Sequence, residues 1–363
     1  MEGLVSTGSE FWSGRSVLVT GHTGFKGSWL AIWLETLGAE VHGFALDPPS
    51  SPSLFRCADV QNLLKSDCRS DIRNPSDLEE VVRTVRPQVI LHLAAQPLVA
   101  TGFDDPWETW SVNVLGTVNL LDVVRRLEQP VAVVVVTTDK VYEDQGPDIR
   151  YVETDRLGGR DPYSASKTAT ELVAASFLAG RSAQAGKGNF RIATARAGNV
   201  IGGGDWSENR LLPDCLRAFA QGDQVVLRMP EAVRPWQHVL EPLDGYLRLA
   251  QELCGSEGER YSSAWNFGPD SESELTVAQV AEMAATAWGT PASVAIEPVR
   301  SATSETHSLR LDSTKARGKL GWLPQWEINY AVEQTVAWQK DWIAGGSMLE
   351  VCCRQIAEYL ESR

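Results

Sequence analysis

The chain has few features that would mark it for a membrane, a nucleic acid or a metal. No apolar run approaches the ~20 residues that a membrane-spanning helix needs. Met1 to Ser13 has no basic region followed by an apolar stretch, so no signal peptide is expected. Basic residues number 33 against 47 acidic ones, and the net charge of -14 excludes the basic stripe of a general nucleic-acid binder. Six cysteines, at 57, 68, 215, 254, 352 and 353, lack metal-ligand spacing, and no metal site is expected. Cys352 and Cys353 are adjacent and cannot readily bridge each other, so reduced thiols and a cytoplasmic location are expected. Repeats and low-complexity tracts are absent. The 13 tryptophans are scattered, as core and interface packing requires, rather than grouped as a stacking platform for bases.

What is present is an ordinary globular composition, 43% apolar and 22% charged, over 363 residues: enough for a large domain and a smaller one. Apolar runs at 16–20, 40–46, 88–93, 131–136 and 190–196, with a strand tip at 67–71, read as strands. Between them, residues 29–37, 75–85, 110–128 and 162–178 read as helices. This alternation predicts an α/β fold, a doubly wound parallel Rossmann sheet whose carboxyl edge binds ligands. After Asn199 the rhythm changes: a glycine run at 202–204, a helix at 213–221, a strand at 264–267 and helices in the last ninety residues. Residues 1–198 are therefore expected to form the dinucleotide-binding domain. Residues 199–363 are expected to form a smaller mixed substrate lobe, with the chain returning to the sheet at 238–266.

Thr20-Gly21-His22-Thr23-Gly24-Phe25-Lys26-Gly27 is a glycine-rich turn between the first strand and its helix. Gly21 permits the tight turn, Gly24 lets backbone approach a phosphate, and Gly27 lets helix pack on strand. The free N–H groups and partial positive charge of the helix start suit a pyrophosphate. Asp47, past the second strand, is placed to bond ribose hydroxyls and repel a 2′-phosphate, which favours NAD. Ala45 is the alternative occupant of that diagnostic position, and His22 and Lys26 beside the phosphates would instead assist NADP. His22 also stands to crowd the pyrophosphate. Asp71 and Ile72, at the third strand tip, are expected at the adenine; the alternative is a surface aspartate capping the next helix.

Tyr163 and Lys167 lie one helical turn apart and so share a helix face. A phenolate there can take a proton from a substrate hydroxyl as hydride leaves the adjoining carbon. A free tyrosine ionises near ~10, and the Lys167 ammonium with a cationic nicotinamide is expected to favour the phenolate. The fifth strand ends in Thr137-Thr138-Asp139-Lys140. Thr138 can bond the same substrate oxygen, and Asp139 with Lys140 adds a second acid–base pair, as an elimination of water requires. A polar turn with Asp139 as a cap is the competing reading.

As a set these segments resemble the extended short-chain dehydrogenases/reductases, and among them the CDP-glucose branch of the 4,6-dehydratases. The resemblance covers nearly the whole chain. It rests on Gly21 to Trp29, Leu93-Ala94-Ala95-Gln96, Thr138 to Lys140, Asp161 to Lys167, Arg196 to Trp206 and Arg234 to His238. It implies an NAD-dependent internal redox cycle on CDP-glucose or a related nucleotide sugar, supplying deoxysugars for surface polysaccharide. Leu93, Ala94 and Ala95 would line the cofactor; Gln96, Asn199, Arg210, Arg234 and His238 would face the substrate, Asn199 and Arg234 at the diphosphate. The competing reading makes Asn199 a turn cap and Arg234 a surface ion pair. Glu305, His307 and Arg310 would lie near the nucleotide. The family's usual Thr-Asp-Glu is Thr138-Asp139-Lys140 here, which leaves the base at sugar carbon 5 open between Lys140 and another group. Helices beginning near Trp107 and Tyr163 would pair subunits into a homodimer or homotetramer. A nucleotide-sugar 4-epimerase, a dehydratase of another nucleotide sugar and a non-catalytic NAD sensor are the alternatives; the last typically loses the tyrosine or lysine, and this chain keeps both.

Overall fold

The structure is a computed structural model that describes residues 8–146, 149–183, 189–227, 229–296 and 309–363. Seven segments pair as one parallel sheet: β1 (Ser16–Thr20), β2 (Glu40–Ala45), β3 (Ser66–Arg69), β4 (Val89–His92), β5 (Val131–Val136), β6 (Phe190–Ala197) and β7 (Ala264–Phe267). Their order across the sheet is β7-β6-β5-β4-β1-β2-β3. The chain runs outward one way through β2 and β3, then returns past β1 to β4 and runs outward the other way. The crevice between the ends of β1 and β4 is thus the topological switch point, where ligands bind in such sheets. Every residue of β4 and β5 is buried, which is why both read as unbroken apolar runs rather than alternating ones.

Helix α1 (Phe25–Thr36) starts at the glycine turn itself, four residues ahead of the expected Trp29, because Gly24 already serves as its N-cap. Its sequence is apolar all round, with Trp29 and Trp33 fully buried, so both of its faces need cover. The sheet covers one. The chain's last helix covers the other, packing Tyr359 edge-on to Trp33 with ring centroids 5.6 Å apart.

Helices α2 (Pro75–Val85) and α3 follow. The latter departs from its expected span: it begins at Pro106, capped by the Asp105 carboxylate, passes one π turn at Ser111–Leu115 and ends at Val124. Helix α4 (Pro162–Ala183) carries Tyr163 and Lys167. Between β6 and β7 lie α5 (Leu211–Gln221) and α6 (Leu240–Cys254), the second packed back under the sheet. Short strand pairs at 200–201 with 237–238, 233–235 with 274–276, and 225–227 with 294–296 stand beside the main sheet. They were not expected from the sequence, being too short to show a period. Helices α7 (Val277–Trp288), α8 (Ile328–Ile343) and α9 (Met348–Glu361) complete the fold. No helix among the described residues is long and apolar enough to cross a membrane.

The carboxylate of Glu241, in the first turn of α6, ties α9 to the body. It accepts from the N–H groups of Gln325 and Trp326 and from the Tyr359 hydroxyl, the last at 2.7 Å. Burial pushes Glu241 up to about 7 despite these donors. A carboxyl whose folded value lies above its unfolded ~4.3 favours the folded state most below the unfolded value. That contribution is lost as pH rises toward 7. Thermal unfolding midpoints followed from pH 5 to pH 8 should therefore fall in the native protein and fall less in Glu241→Gln.

Candidate active site at the carboxyl edge of the sheet

The glycine turn is built as the sequence implied. Gly21 takes φ +75°, and a Cβ on it would sit 2.7 Å from the Ala94 nitrogen, so the ends of β1 and β4 touch there. A Cβ on Gly27 would lie 2.2 Å from the Gly21 carbonyl oxygen. Gly24 differs: its nearest neighbour would be 3.4 Å away, and its φ of -78° suits any residue. Nothing in the fold demands glycine at 24.

His22 and Lys26 part company. The His22 ring is fully buried and turned away from the turn, bonding Asp67 at 2.9 Å and filling the space above Gly43, where a Cβ would meet it at 2.5 Å. Its side chain therefore neither crowds nor assists a phosphate, and burial lowers its pKa. Lys26 instead points into the site, where it feels Arg210, Asp139 and Lys167; burial lowers it to about 7.

Asp47 stands beyond the end of β2 with its carboxylate in solvent, 3.7 Å from Arg69. Thr23 donates to the Leu46 carbonyl at 2.9 Å. The Asp71 carboxylate is gripped by Arg73 through Nε at 2.9 Å and Nη2 at 2.5 Å, which holds it below the usual carboxylate range. Arg73 also reaches Glu108 of α3. The Ile72 side chain is core, wedged against Gly116, so only its backbone can face a ligand. Leu93, Ala94 and Ala95 are half-buried at the switch point, with the Ala94 N–H bonded to Thr20.

Thr138, Asp139, Tyr163 and Lys167 come together at the ends of β5 and α4, all buried. The Thr138 hydroxyl donates to Asp139 Oδ1 at 2.9 Å, and Thr138 also acts on the Tyr163 phenol, pulling it toward ionisation. Burial raises Asp139 against the opposing pull of Lys140, Thr138, Arg234 and Lys26, which favours its protonated form. Burial, with Asp139 adding, pushes Tyr163 up to about 12, while Thr138 and Arg210 pull the other way. The Lys167 ammonium donates to the Val136 carbonyl at 3.1 Å, and burial lowers it to about 8 against the charge of Glu171.

Of the residues expected at the substrate, Arg210 (3.0 Å from Asp205) and Arg234 both act on the catalytic cluster. Asn199 is half-buried just after β6, its carbonyl accepting from the Gln237 N–H. The Gln96 side chain is engaged by its neighbours, accepting from the Leu98 N–H and donating to Thr109 of α3 at 2.7 Å. His238 is fully buried in an aromatic box between Trp29 and Trp326, at 6.0 and 4.7 Å between ring centroids. There burial lowers it to about 3, and no part of it is exposed. Arg310 pairs with Glu274 at 3.0 Å; Glu305 and His307 lie outside the described residues.

The sequence reading passed over two supports. Asn113, inside the π turn of α3, accepts from the Gln96 N–H at 2.8 Å and donates to Ser166 of α4 at 2.9 Å. His92, at the end of β4, bonds Thr20 and Thr117. Thr117 spends its proton on the Asn113 carbonyl, so His92 carries its proton on Nε2 and accepts from Thr20 at Nδ1.

This fold has counterparts among known proteins. The family model for GDP-mannose 4,6 dehydratase matches residues 18–335. The chain belongs to the GDP-mannose 4,6-dehydratase family. It is thus an enzyme of the nucleotide-sugar dehydratase class. It is 44% identical to a CDP-glucose 4,6-dehydratase of Salmonella typhimurium over 97% of this chain and 98% of that protein. Among solved structures, a dTDP-glucose 4,6-dehydratase from Bacillus anthracis in complex with NAD superposes with a TM-score of 0.74 at 22% identity, covering 93% of this chain and all of that one. A Thermus thermophilus UDP-glucose 4-epimerase in complex with NAD gives 0.74 at 25% identity, over 89% and 98% of the two chains.

The three glycines make a direct test. Gly27→Ala should lower stability by ~2–3 kcal/mol, as forced overpacking against backbone does, whereas Gly24→Ala should change it by less than ~1 kcal/mol. Denaturant unfolding of the two variants measures both.

Proposed function

We propose that the protein converts CDP-glucose to CDP-4-dehydro-6-deoxyglucose with NAD as a resident cofactor. The observation that carries this reading is Asp139: a buried carboxyl favoured in its neutral form, one hydroxyl away from the candidate base Tyr163. An oxidation or an epimerisation alone has no use for such an acid; a departing hydroxyl does.

The Gly21–Gly27 turn fits a dinucleotide, because a Cβ at Gly24 would take up the space a pyrophosphate needs and the fold asks for none there. Asp47, Asp71, the Ile72 backbone and Leu93 to Ala95 would flank it. When bound, NAD supplies a hydride acceptor at sugar carbon 4 and a donor at carbon 6. Tyr163 takes the proton of the 4-hydroxyl, with Lys167 and Arg210 as the nearby cations. Lys140, next to Asp139 and in its neutral amine form, takes the carbon 5 proton that the new ketone acidifies and, after its amine protons exchange with solvent, delivers a proton to the same carbon. Asp139 gives its proton to the 6-hydroxyl, which leaves as water. Tyr163 then holds one proton too many and Asp139 one too few, and the Thr138 hydroxyl between them is placed to restore both. Arg234 and Asn199 suit the diphosphate, and the lobe after residue 198 suits the nucleotide. The free cysteines fit a reducing cytoplasm.

A homodimer completes the proposal. Phe103, Trp107, Trp110 and Leu115 before and along α3, and Leu172 of α4, are exposed, Trp107 by 72%. Such an apolar face on two neighbouring helices suits a helix-bundle contact with a second copy.

Incubation with CDP-glucose should yield a product lighter by one water, read by mass spectrometry; an unchanged mass would favour the epimerase. Tyr163→Phe should lower kcat at least ~100-fold, and unchanged turnover would overturn the mechanism. Trp107→Glu with Leu172→Glu should yield monomers by light scattering.

A further inference from the structure

Helix α4 carries a third ionisable group on the face that bears Tyr163 and Lys167. Glu171 stands one turn beyond Lys167, and its carboxylate is buried. Both oxygens are fully used. Oε1 accepts from Thr137 at 2.5 Å and from Arg196 Nε at 2.9 Å. Oε2 accepts from Thr194 at 2.6 Å and from Arg196 Nη2 at 2.8 Å. Four donors converge on one carboxylate, which therefore sits there as an anion. Arg196 is anchored in turn. Its Nη1 donates to the Tyr142 hydroxyl at 2.8 Å and to the Glu153 carbonyl at 3.2 Å, and the guanidinium lies 4.9 Å from the Tyr142 ring centroid.

A buried ion pair of this kind rarely adds stability over apolar packing. Its placement suggests another use. Thr137 immediately precedes Thr138 and Asp139, so the Glu171 clamp joins the end of β5 to the helix face that carries the tyrosine and lysine. We infer that Glu171 is a positioning residue: anchored by Arg196, Thr137 and Thr194, it fixes the Thr138–Asp139 end of β5 against α4 and places a buried negative charge one helical turn from Lys167. The inference rests on the reading of Tyr163 and Lys167 as the proton-handling pair.

The other groups around Lys167 cannot replace it. From α1, Lys26 is an amine that burial lowers to about 7, and it brings no negative charge. From β4, His92 is held neutral, lowered to about 3 by burial and by Lys167 itself. From the β5 end, Asp139 favours its protonated form. Tyr163, on the same helix, is pushed up to about 12 and is neutral near pH 8. Glu171 alone opposes the burial that lowers Lys167 to about 8. Without that anion Lys167 loses its proton at a lower pH, and turnover that needs the ammonium is lost at a lower pH.

The test is the pH dependence of kcat, with CDP-glucose and saturating NAD, in Glu171→Gln and Glu171→Asp. The double variant Glu171→Gln/Arg196→Gln keeps the test open if the unpaired arginine prevents folding. Glu171→Gln, or the double variant, should move the alkaline limb ~1 pH unit toward acid, so that activity drops about tenfold more at pH 8.5 than at pH 6. Glu171→Asp should keep the wild-type limb. In the protein without cofactor, the 13Cε lysine resonance that Lys167→Met removes should titrate ~1 unit lower in the Gln variants. Folded Gln variants whose loss is the same at every pH, or whose Lys167 resonance titrates as in the wild type, would overturn the inference. Absence of wild-type turnover would defeat the functional reading instead, and the resonance titration would still decide the role of Glu171.

Discussion

Desolvation at the carboxyl edge of a parallel sheet is the constraint on which this molecule turns. Lys26, Asp139, Tyr163 and Lys167 meet where water is largely excluded, and burial is the largest influence on each of them. It favours the neutral form of all four: it raises the acid and the phenol and lowers both amines. An acid pushed toward its protonated form beside a tyrosine pushed toward its phenol form leaves the bound ligands to set which of them gives and which takes a proton. The charges that enter with a substrate and a cationic cofactor then act in a medium that screens them weakly.

That edge is rigid because of what lies behind it. The ends of β1 and β4 touch through Gly21 and Ala94, so the glycine turn and the Leu93–Ala95 loop form one surface. Helix α1 leaves this surface apolar on all sides and is stable only because α9 caps its outer face, itself held by the Glu241 carboxylate. The α3 helix reaches the site through Asn113, which bonds both the Gln96 backbone and Ser166 of α4. The Glu171–Arg196 pair does the same from β6. Each support is a buried polar group with its partners satisfied, the condition under which such groups order a structure instead of weakening it.

Much of this was legible in the residues. Unbroken apolar runs such as Val131–Val136 announce strands covered on both faces, and the glycine turn marks the switch point by its place after the first of them. Tyr163 and Lys167 declare their shared face by spacing alone. What stayed hidden depends on contacts between distant segments. Nothing in the sequence shows that the Gln96 amide is consumed by Leu98 and Thr109, or that His238 is enclosed by Trp29 and Trp326. The direction of the His22 ring follows from Gly43 on the neighbouring strand, which leaves room for it. Glu171 and Arg196 meet only through the register of α4 on β6. The signal available was a glutamate four residues after Lys167, on a face otherwise given to the site.

The central claim is that acid and base groups of this edge carry out an elimination across two carbons of the sugar and return a proton to the one at position 5. The most direct measurement is the mass of the product formed from unlabelled CDP-glucose in D2O. The expected product has lost one water and gained one deuterium bound to carbon 5. A product of unchanged mass, or one that has lost water without taking carbon-bound deuterium from the solvent, would contradict it.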